Sequence, residues 1–173
     1  MPKHVAVTML VIFTFLFILI DYVRLHVGSV RKLFFLLFGQ LLRRKELYTL
    51  TGGSYLLLAS VVAIFMIPDR GVFIAAISFL VIGDTVAALF GLRFGKVRLF
   101  RKTIAGTSAC LVSCLIIAYI VYKLPNASLP LSIGVLGAVI ATIVEALPIE
   151  VNDNVIIPIF AGAVMQITLL ILK

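Results

Sequence analysis

Residues 82–106 read IGDTVAALFGLRFGKVRLFRKTIAG and join two apolar segments through a basic connection. The first apolar segment contains an acid, Asp84, and an acid near the middle of a membrane helix costs about 2.5–3.5 kcal/mol on insertion scales. Asp84 must therefore face a partner or a wet cavity. Five basic residues follow within ten positions: Arg93, Lys96, Arg98, Arg101 and Lys102. This pattern predicts a membrane helix, a basic loop and a second membrane helix, with a polar site close to the loop.

The composition is typical of an integral membrane protein. Of the 173 residues, 63% are hydrophobic and only 13% are charged, whereas soluble domains have about 45–50% apolar and about 25% charged residues. Apolar runs of about 17–20 residues recur, which is the length that a helix needs to cross a bilayer. We therefore predict one integral membrane domain over residues 1–173.

The apolar runs predict six transmembrane helices. They cover approximately residues 5–23, 54–67, 72–90, 103–122, 131–147 and 155–172. The segment 28–42 differs, because its leucines and phenylalanines recur at helical spacing and basic residues interrupt them. It predicts an amphipathic helix on the cytoplasmic face of the membrane. The expected fold is an all-α polytopic membrane helix bundle with about six spans and this amphipathic helix.

The positive charge is concentrated in loops beside the apolar runs. The net charge is +8, which favours anionic headgroups and phosphates as partners rather than nucleic acid. With six spans, eleven of the fifteen lysines and arginines fall on one side. The positive-inside rule makes that side cytoplasmic and puts both termini outside. The eleven residues are Arg24, Arg31, Lys32, Arg43, Arg44, Lys45, Arg93, Lys96, Arg98, Arg101 and Lys102.

The same counting brings three acids from different helix ends towards the cytoplasmic face. Asp84 lies in the third span, Glu145 at the end of the fifth and Asp153 at the start of the sixth, with Glu46 and Glu150 in loops on that side. Because Mg²⁺ on a nucleotide takes one or two carboxylates beside phosphate oxygens, the first three are candidate metal ligands. The surplus acid could accept a hydroxyl proton.

Two other interpretations of these acids stay open. Asp84 could form a structural ion pair with a lysine or arginine from a neighbouring helix. Asp153 could simply cap its helix, since aspartate is a common N-cap residue.

Glycines and basic side chains follow Asp84 in a pattern that partly resembles a P-loop. Gly91, Arg93, Gly95 and Lys96 have one residue too few for that motif, and Val97 replaces its hydroxyl residue. Free backbone N–H groups with nearby positive charge can still hold phosphates, so these residues are predicted phosphate contacts. Packing of helices through the two small residues is the alternative.

The start of the fourth span offers a second set of phosphate contacts. Lys102, Thr103, Gly106 and Thr107 surround a predicted helix N-terminus, and a helix N-terminus preceded by lysine suits a phosphate. Asn154, beside Asp153, is assigned to the same group. The basic loop also serves as a topology signal.

In order and spacing, these residues resemble the signatures of the dolichol kinase/phytol kinase group. The likeness extends over approximately residues 43–162. The matching segments are GDT at 83–85, followed by Ala87, Gly91, Gly95 and Lys96; KT at 102–103 and AGT at 105–107; EAL at 145–147; and DN at 153–154, followed by Pro158. Upstream, Arg44, Glu46 and TGGSY at 51–55 resemble the first cytoplasmic signature of the group.

The resemblance implies a polytopic membrane enzyme that transfers the γ-phosphate of CTP, with Mg²⁺, to a long-chain isoprenoid alcohol or to diacylglycerol. It also implies supporting roles for Arg44, Glu46, Gly52 and Tyr55. Ala105 stands where many dolichol and diacylglycerol kinases have glutamate, while phytol-kinase-like members tolerate alanine. This difference favours a phytol- or polyprenol-type substrate.

Two other functions stay open at this point. The group is related to phosphatidate cytidylyltransferases, so a CDP-lipid synthase would use the same nucleotide. A small transporter or membrane interaction protein is the non-enzymatic alternative, although transporter sites usually lie near the bilayer midplane between repeats.

Overall fold

The computed structural model describes residues 3–39, 44–100, 102–125, 127, 129–148 and 152–172. Its regular structure is helical apart from one pair of two-residue strands, which confirms the all-α class. The chain, predicted as one domain, divides into two compact units, Met1–Val61 and Val62–Lys173. They are called unit 1 and unit 2 below.

Unit 1 begins with α1 (Lys3–His26) and α2 (Gly28–Phe38). The two helices are separated by Val27, whose extended backbone (φ −108°, ψ 112°) breaks the helical path. No residue of α2 is buried, and Leu33, Leu36, Leu37 and Phe38 are exposed, which is compatible with an amphipathic helix that lies on a bilayer. A 3₁₀ turn, Arg44–Leu47, precedes α3 (Gly52–Met66), which begins in unit 1.

Unit 2 opens with a long helix that contains a local widening. It consists of α4 (Arg70–Ser78), a π-helical turn (Phe79–Asp84) and α5 (Thr85–Phe94). A π-helical turn inserts an extra residue into a helix and is common at functional sites. Gly83 is needed there, because a Cβ at this position would lie 2.8 Å from Cys114 Sγ. The turn therefore packs directly on the following helix.

The basic loop folds into a small hairpin that the sequence did not predict. Strands β1 (Arg98–Leu99) and β2 (Lys102–Thr103) pair antiparallel, with Leu99 opposite Lys102. Phe100, in the connection, has φ 54°, a value that tight hairpin turns require and that phenylalanine rarely adopts. The hairpin is followed directly by α6 (Ile104–Lys123).

The rest of unit 2 is a helical bundle completed by α7 (Leu131–Ala146) and α8 (Asp153–Ile171). Helix α6 packs on α5 and α7, and α8 packs on α4 and α7. Small side chains at the contacts let the helices approach closely, as is usual for membrane helices. The completely buried residues include Ala75, Ala76, Cys114, Ala118, Ala138, Ala161 and Met165.

In the part of the chain that the structure describes, four helices are long and apolar enough to cross a membrane, which indicates a multi-pass membrane protein: His4–His26, Arg70–Phe94, Ile104–Lys123 and Asp153–Ile171. Helices α3 and α7 are shorter, with 15 and 16 residues. At 1.5 Å per residue they are about 22 and 24 Å long, less than the roughly 30 Å of a hydrocarbon core. The predicted helix positions are confirmed to within a few residues at most ends, but the count of six spans is not.

Candidate functional site

In unit 2, the side chain of Lys102 lies among three carboxylates from separate parts of the chain. Its Nζ is 3.0 Å from Glu145 Oε1, 3.0 Å from Asp153 Oδ2 and 3.8 Å from Asp84 Oδ1. The ammonium donates a hydrogen bond to Asp153. The predicted convergence of the three acids is therefore confirmed, with a lysine at its centre. We call these four residues the Lys102 cluster.

Two local features place Asp84 and Asp153 in the Lys102 cluster. Asp84 is the last residue of the π-helical turn. Asp153 is the first residue of α8, because Asn152 occupies the N-cap and its Oδ1 accepts a hydrogen bond from the N–H of Asn154 at 3.0 Å. The interpretation of Asp153 as the N-cap is therefore wrong, and its carboxylate pairs with Lys102 instead.

The remaining two members come from element ends. Glu145 lies in the last turn of α7, which ends at Ala146. Lys102 begins β2 and is followed by Thr103, the N-cap of α6, whose Oγ1 accepts a hydrogen bond from the N–H of Gly106 at 3.1 Å. This cap fixes the backbone on the C-terminal side of Lys102.

The three carboxylates differ in burial. The exposed fraction of the side chain is 2% for Glu145, 19% for Asp84 and 31% for Asp153. Glu145 Oε2 is buried and has no hydrogen-bond partner within the described ranges. Leaving a buried acceptor unsatisfied costs about 1–3 kcal/mol, and more for a charged group. The Lys102 cluster thus contains two acids that reach solvent and one with an unused, enclosed oxygen.

Acidic groups outnumber basic groups in the Lys102 cluster. Among the described residues, three carboxyl groups face one ammonium. Burial opposes the charged form of Lys102, but the hydrogen bond to Asp153 and the charges of Glu145 and Asp153 outweigh it and raise the pKa of Lys102 above its usual value. Lys102 therefore carries its charge at neutral pH. The contact with Asp84 also keeps the structural ion-pair interpretation of that residue open.

The spacing of the Lys102 cluster suits an ammonium ion rather than a metal ion. Within the described ranges, no three His, Cys, Asp or Glu side chains are placed to hold a metal directly. The oxygens lie 3.0–3.8 Å from Nζ, whereas Mg²⁺ requires oxygen ligands at about 2.0–2.1 Å. The donor set itself, carboxylate oxygens with partial access to water, is of the type that Mg²⁺ prefers, so a magnesium site here stays a prediction.

The glycines of the predicted phosphate loop have a packing role. A Cβ at Gly106 would lie 2.8 Å from the carbonyl oxygen of Ala87 and 3.4 Å from Gly91 Cα. The small residues thus let α5 and α6 approach backbone to backbone, as the packing alternative predicted. The N–H of Gly95 already bonds to the carbonyl oxygen of Gly91 at 3.0 Å. Phosphate binding by these backbone groups stays a prediction.

The basic side chains of the same region are more accessible. Arg93 and Lys96 are exposed, and in the part of the chain that the structure describes neither forms an ion pair. The Arg93 guanidinium lies 5.6 Å from the centre of the Phe94 ring. Thr107 Oγ1, in the first turn of α6, is buried and has no hydrogen-bond partner among the described residues. Binding of anions by Arg93 and Lys96 stays a prediction.

The predicted supporting residues lie in unit 1. Glu46 Oε1 accepts a hydrogen bond from the N–H of Gly52 at 3.0 Å, so the pair fixes the start of α3. Tyr55 is half-buried in α3. The side chain of Arg44 lies outside the described part of the chain, as do Arg43, Arg101 and Glu150.

A second charged cluster, in unit 1, was not predicted. Asp21 and Arg24 are each 1% exposed, and Arg24 Nη2 lies 3.1 Å from Asp21 Oδ1. Asp21 Oδ2 accepts hydrogen bonds from the N–H of Thr51 at 2.7 Å, from Thr51 Oγ1 at 2.9 Å and from Ser54 Oγ at 2.6 Å. We call these residues the Asp21 cluster. Its signal in the sequence is the three-residue spacing of Asp21 and Arg24, which puts both on one face of α1.

Comparison with known proteins identifies one curated relative and no family. No protein-family model matches the chain. The chain is 28% identical over 163 residues to the uncharacterized protein RP860 of Rickettsia prowazekii (strain Madrid E), and the match covers 91% of this chain and 79% of that protein. No solved structure matches. The likeness to the rickettsial protein runs through both units, and the name of that protein states no activity.

Proposed function

We propose that this chain is a CTP-dependent lipid-alcohol kinase of the dolichol kinase/phytol kinase type, which transfers the γ-phosphate to a membrane alcohol with Mg²⁺. The observation that supports it best is the composition of the Lys102 cluster. Asp84, Lys102, Glu145 and Asp153 come from four different segments that resemble this group, and their side chains meet at one point. Residues far apart in sequence that meet in this way are what an active site requires.

The chemistry of the Lys102 cluster suits phosphoryl transfer. Such reactions require little covalent participation by the protein, since positioning and neutralisation of charge supply most of the catalysis. Bound Mg²⁺ would neutralise charge that develops on the transferred phosphoryl group. Asp84 and Asp153 reach solvent and would hold the ion together with phosphate oxygens. Arg93 and Lys96, both exposed, would contact the remaining phosphates.

Glu145 is the best candidate for the general base. Its Oε1 is held by Lys102 at 3.0 Å, and its Oε2 is enclosed and unpaired. As the alcohol oxygen bonds to the γ-phosphorus, Oε2 accepts the hydroxyl proton. The bond between the γ-phosphorus and the β–γ bridging oxygen breaks, and CDP leaves. A positioned carboxylate of this kind contributes about 10²–10⁴-fold to a rate.

The lipid acceptor would enter from the bilayer between the helices of unit 2. The choice of CTP, and of a phytol- or polyprenol-type alcohol over diacylglycerol, follows from the resemblance and from Ala105.

For topology, we propose that α3 and α7 also span the membrane, with tilt and local thinning of the bilayer accommodating their length. Six spans then put the active site on the cytoplasmic face and both termini outside.

The direct test uses the purified protein in detergent with CTP or ATP labelled at the γ-phosphate. The acceptors are polyprenol, phytol, a farnesol-type alcohol and diacylglycerol. The proposal predicts label in a lipid monophosphate, with release of CDP and dependence on Mg²⁺. Formation of CDP-lipid and pyrophosphate would instead identify a CDP-lipid synthase. Absence of Mg²⁺-dependent nucleotide binding would favour the transporter or interaction protein.

A further inference from the structure

The ammonium of Lys102 occupies the place that a cation would need in order to contact all three acids. It hydrogen-bonds to Asp153 and lies 3.0 Å from Glu145 Oε1 and 3.8 Å from Asp84 Oδ1. Lysine ends in a compact point charge with three donors, so it acts here much as a monovalent cation would. A divalent ion cannot enter the same space while the ammonium remains.

Two observations show that the ammonium satisfies the Lys102 cluster only in part. It is one base for three carboxyl groups, and among the described residues no second base forms an ion pair with them. In addition, Glu145 Oε2 is buried and has no hydrogen-bond partner among the residues that the structure describes. A cation of higher charge would therefore be attracted to these acids, and Lys102 is what it would have to displace.

Lys102 is also placed so that its charge can move. Its side chain is 29% exposed, and the residue after it is fixed as the N-cap of α6. The flexible four-carbon stem can therefore change rotamer without disturbing the helix. An incoming polyphosphate would supply a second set of acceptor oxygens for the ammonium, because lysine is a common ligand of phosphate.

We propose that Lys102 is a built-in competitor of the divalent cation, which blocks bare metal ions and withdraws when the metal arrives with a polyphosphate. The identity of the polyphosphate rests on the proposed function, whereas the competition for the cation does not. The consequence is positive coupling: metal and nucleotide each raise the affinity of the site for the other. This device would keep the acids from being occupied by metal in a form that cannot react.

The experiment measures binding of Mn²⁺ to the purified full chain without nucleotide, by the electron paramagnetic resonance signal of free Mn²⁺. Wild type is compared with Lys102→Met, which keeps the length of the side chain but removes its charge. We expect Lys102→Met to bind bare Mn²⁺ at least about tenfold tighter, equivalent to about 1.4 kcal/mol. Adding CTP should tighten Mn²⁺ binding to wild type by more than the solution affinity of CTP for Mn²⁺ explains.

Two control variants separate competition from a general change of charge. Arg98→Met removes one positive charge from the same hairpin outside the Lys102 cluster, and we expect no gain in Mn²⁺ affinity. Lys102→Arg keeps the charge in place, and we expect it to remain as weak a Mn²⁺ binder as wild type. An equal gain in either control would overturn the inference.

The wild-type measurement keeps the inference testable even if Lys102→Met fails to fold. Saturable binding of bare Mn²⁺ to wild type at micromolar concentration would overturn it, as would unchanged or weaker binding by a folded Lys102→Met. Failure of the proposed function looks different. In that case no lipid phosphate forms with any acceptor, while the gain of bare Mn²⁺ affinity in Lys102→Met persists.

Discussion

Asp21 and Asp84 are both acids inside long apolar helices, but their surroundings differ. Asp21 faces one arginine, and its two oxygens are saturated by Arg24, Thr51 and Ser54. Asp84 shares one lysine with two other acids and makes only a 3.8 Å contact with it. The Asp21 cluster is closed to solvent, whereas the Asp84 side chain is 19% exposed.

The difference shows how a structural charge pair can be told from a candidate site. In the Asp21 cluster, the acid and base are equal in number, and the acid fixes the start of α3 through the N–H of Thr51. Nε and Nη1 of Arg24 have no hydrogen-bond partners among the described residues, but its guanidinium lies 4.8 Å from the centre of the Phe34 ring. The Lys102 cluster has three carboxyl groups for one described base, and Glu145 Oε2 is buried without a partner in the same ranges. An acid in an apolar helix thus suggests function only when its partners leave it unsatisfied.

The largest expected effect is on catalysis at Asp84. Asp84→Asn keeps the size of the side chain and removes the charge that would hold the metal. Since a metal ion supplies several kcal/mol of transition-state stabilisation, we expect lipid phosphorylation to fall about 1,000-fold or more. The thermal unfolding temperature in detergent should change little. Turnover close to wild type in Asp84→Asn would show that the charge of Asp84 is not needed for catalysis. The contrast between a structural Asp21 cluster and a catalytic Lys102 cluster would then be lost.

The matched substitution in unit 1, Asp21→Asn, should lower stability, whereas Asp84→Asn should lower turnover. Asp21→Asn removes the charge that balances Arg24 in a buried site. Breaking a buried ion pair costs about 3–5 kcal/mol, because the remaining charge has no partner. We expect a large drop in the unfolding temperature, measured by the same detergent assay, and loss of inserted protein on expression. A fully stable Asp21→Asn would mean that the Asp21 cluster is not structural.

Glu145→Gln tests whether Glu145 acts as the general base or as a metal ligand in the Lys102 cluster. The amide keeps the volume of the side chain but cannot accept the hydroxyl proton, so we expect turnover to fall about 100-fold. Binding of CTP with Mg²⁺ should persist. Acceptor alcohols with a lower hydroxyl pKa should be affected less, because they need less help from a base. If Mg²⁺-dependent CTP binding disappears along with turnover, Glu145 holds the metal instead.

The smallest expected effect concerns the start of α8. Asn152 caps this helix through its Oδ1, and loss of an N-cap costs about 0.5–2 kcal/mol. Asn152→Ala should therefore lower the unfolding temperature slightly and reduce turnover modestly, since Asp153 would be held less firmly. Asn152→Ser, which restores a capping oxygen, should recover both. An Asn152→Ser variant as impaired as Asn152→Ala would exclude capping as the role of this residue.

The sequence predicted the helices well because membrane spans leave a strong signal in the length of apolar runs. It also predicted six spans, but among the described residues only four helices have the length of a span, and α3 and α7 contain 15 and 16 residues, so the count of six stays a prediction. The hairpin was missed since strands of two residues show no alternation. The π-helical turn was missed because it occupies only six residues inside a continuous apolar run.

The candidate site was predictable in part for a similar reason. Alternation of loops across a membrane puts helix ends on defined sides, so the convergence of Asp84, Glu145 and Asp153 followed from counting spans. The central place of Lys102 did not follow, because a lysine before a helix suits a phosphate as well as a carboxylate. In the Asp21 cluster, the spacing of Asp21 and Arg24 was visible in the sequence, but the contact with Thr51 was not, since Thr51 lies 30 residues from Asp21 and only the fold brings them together.

The most direct test of this account is equilibrium binding of CTP to the purified protein with and without Mg²⁺, for wild type and for Asp84→Asn. The account predicts that wild type binds CTP only when Mg²⁺ is present and that Asp84→Asn loses this binding while remaining folded. Equal binding of CTP by both proteins, or no Mg²⁺-dependent binding by wild type, would contradict it.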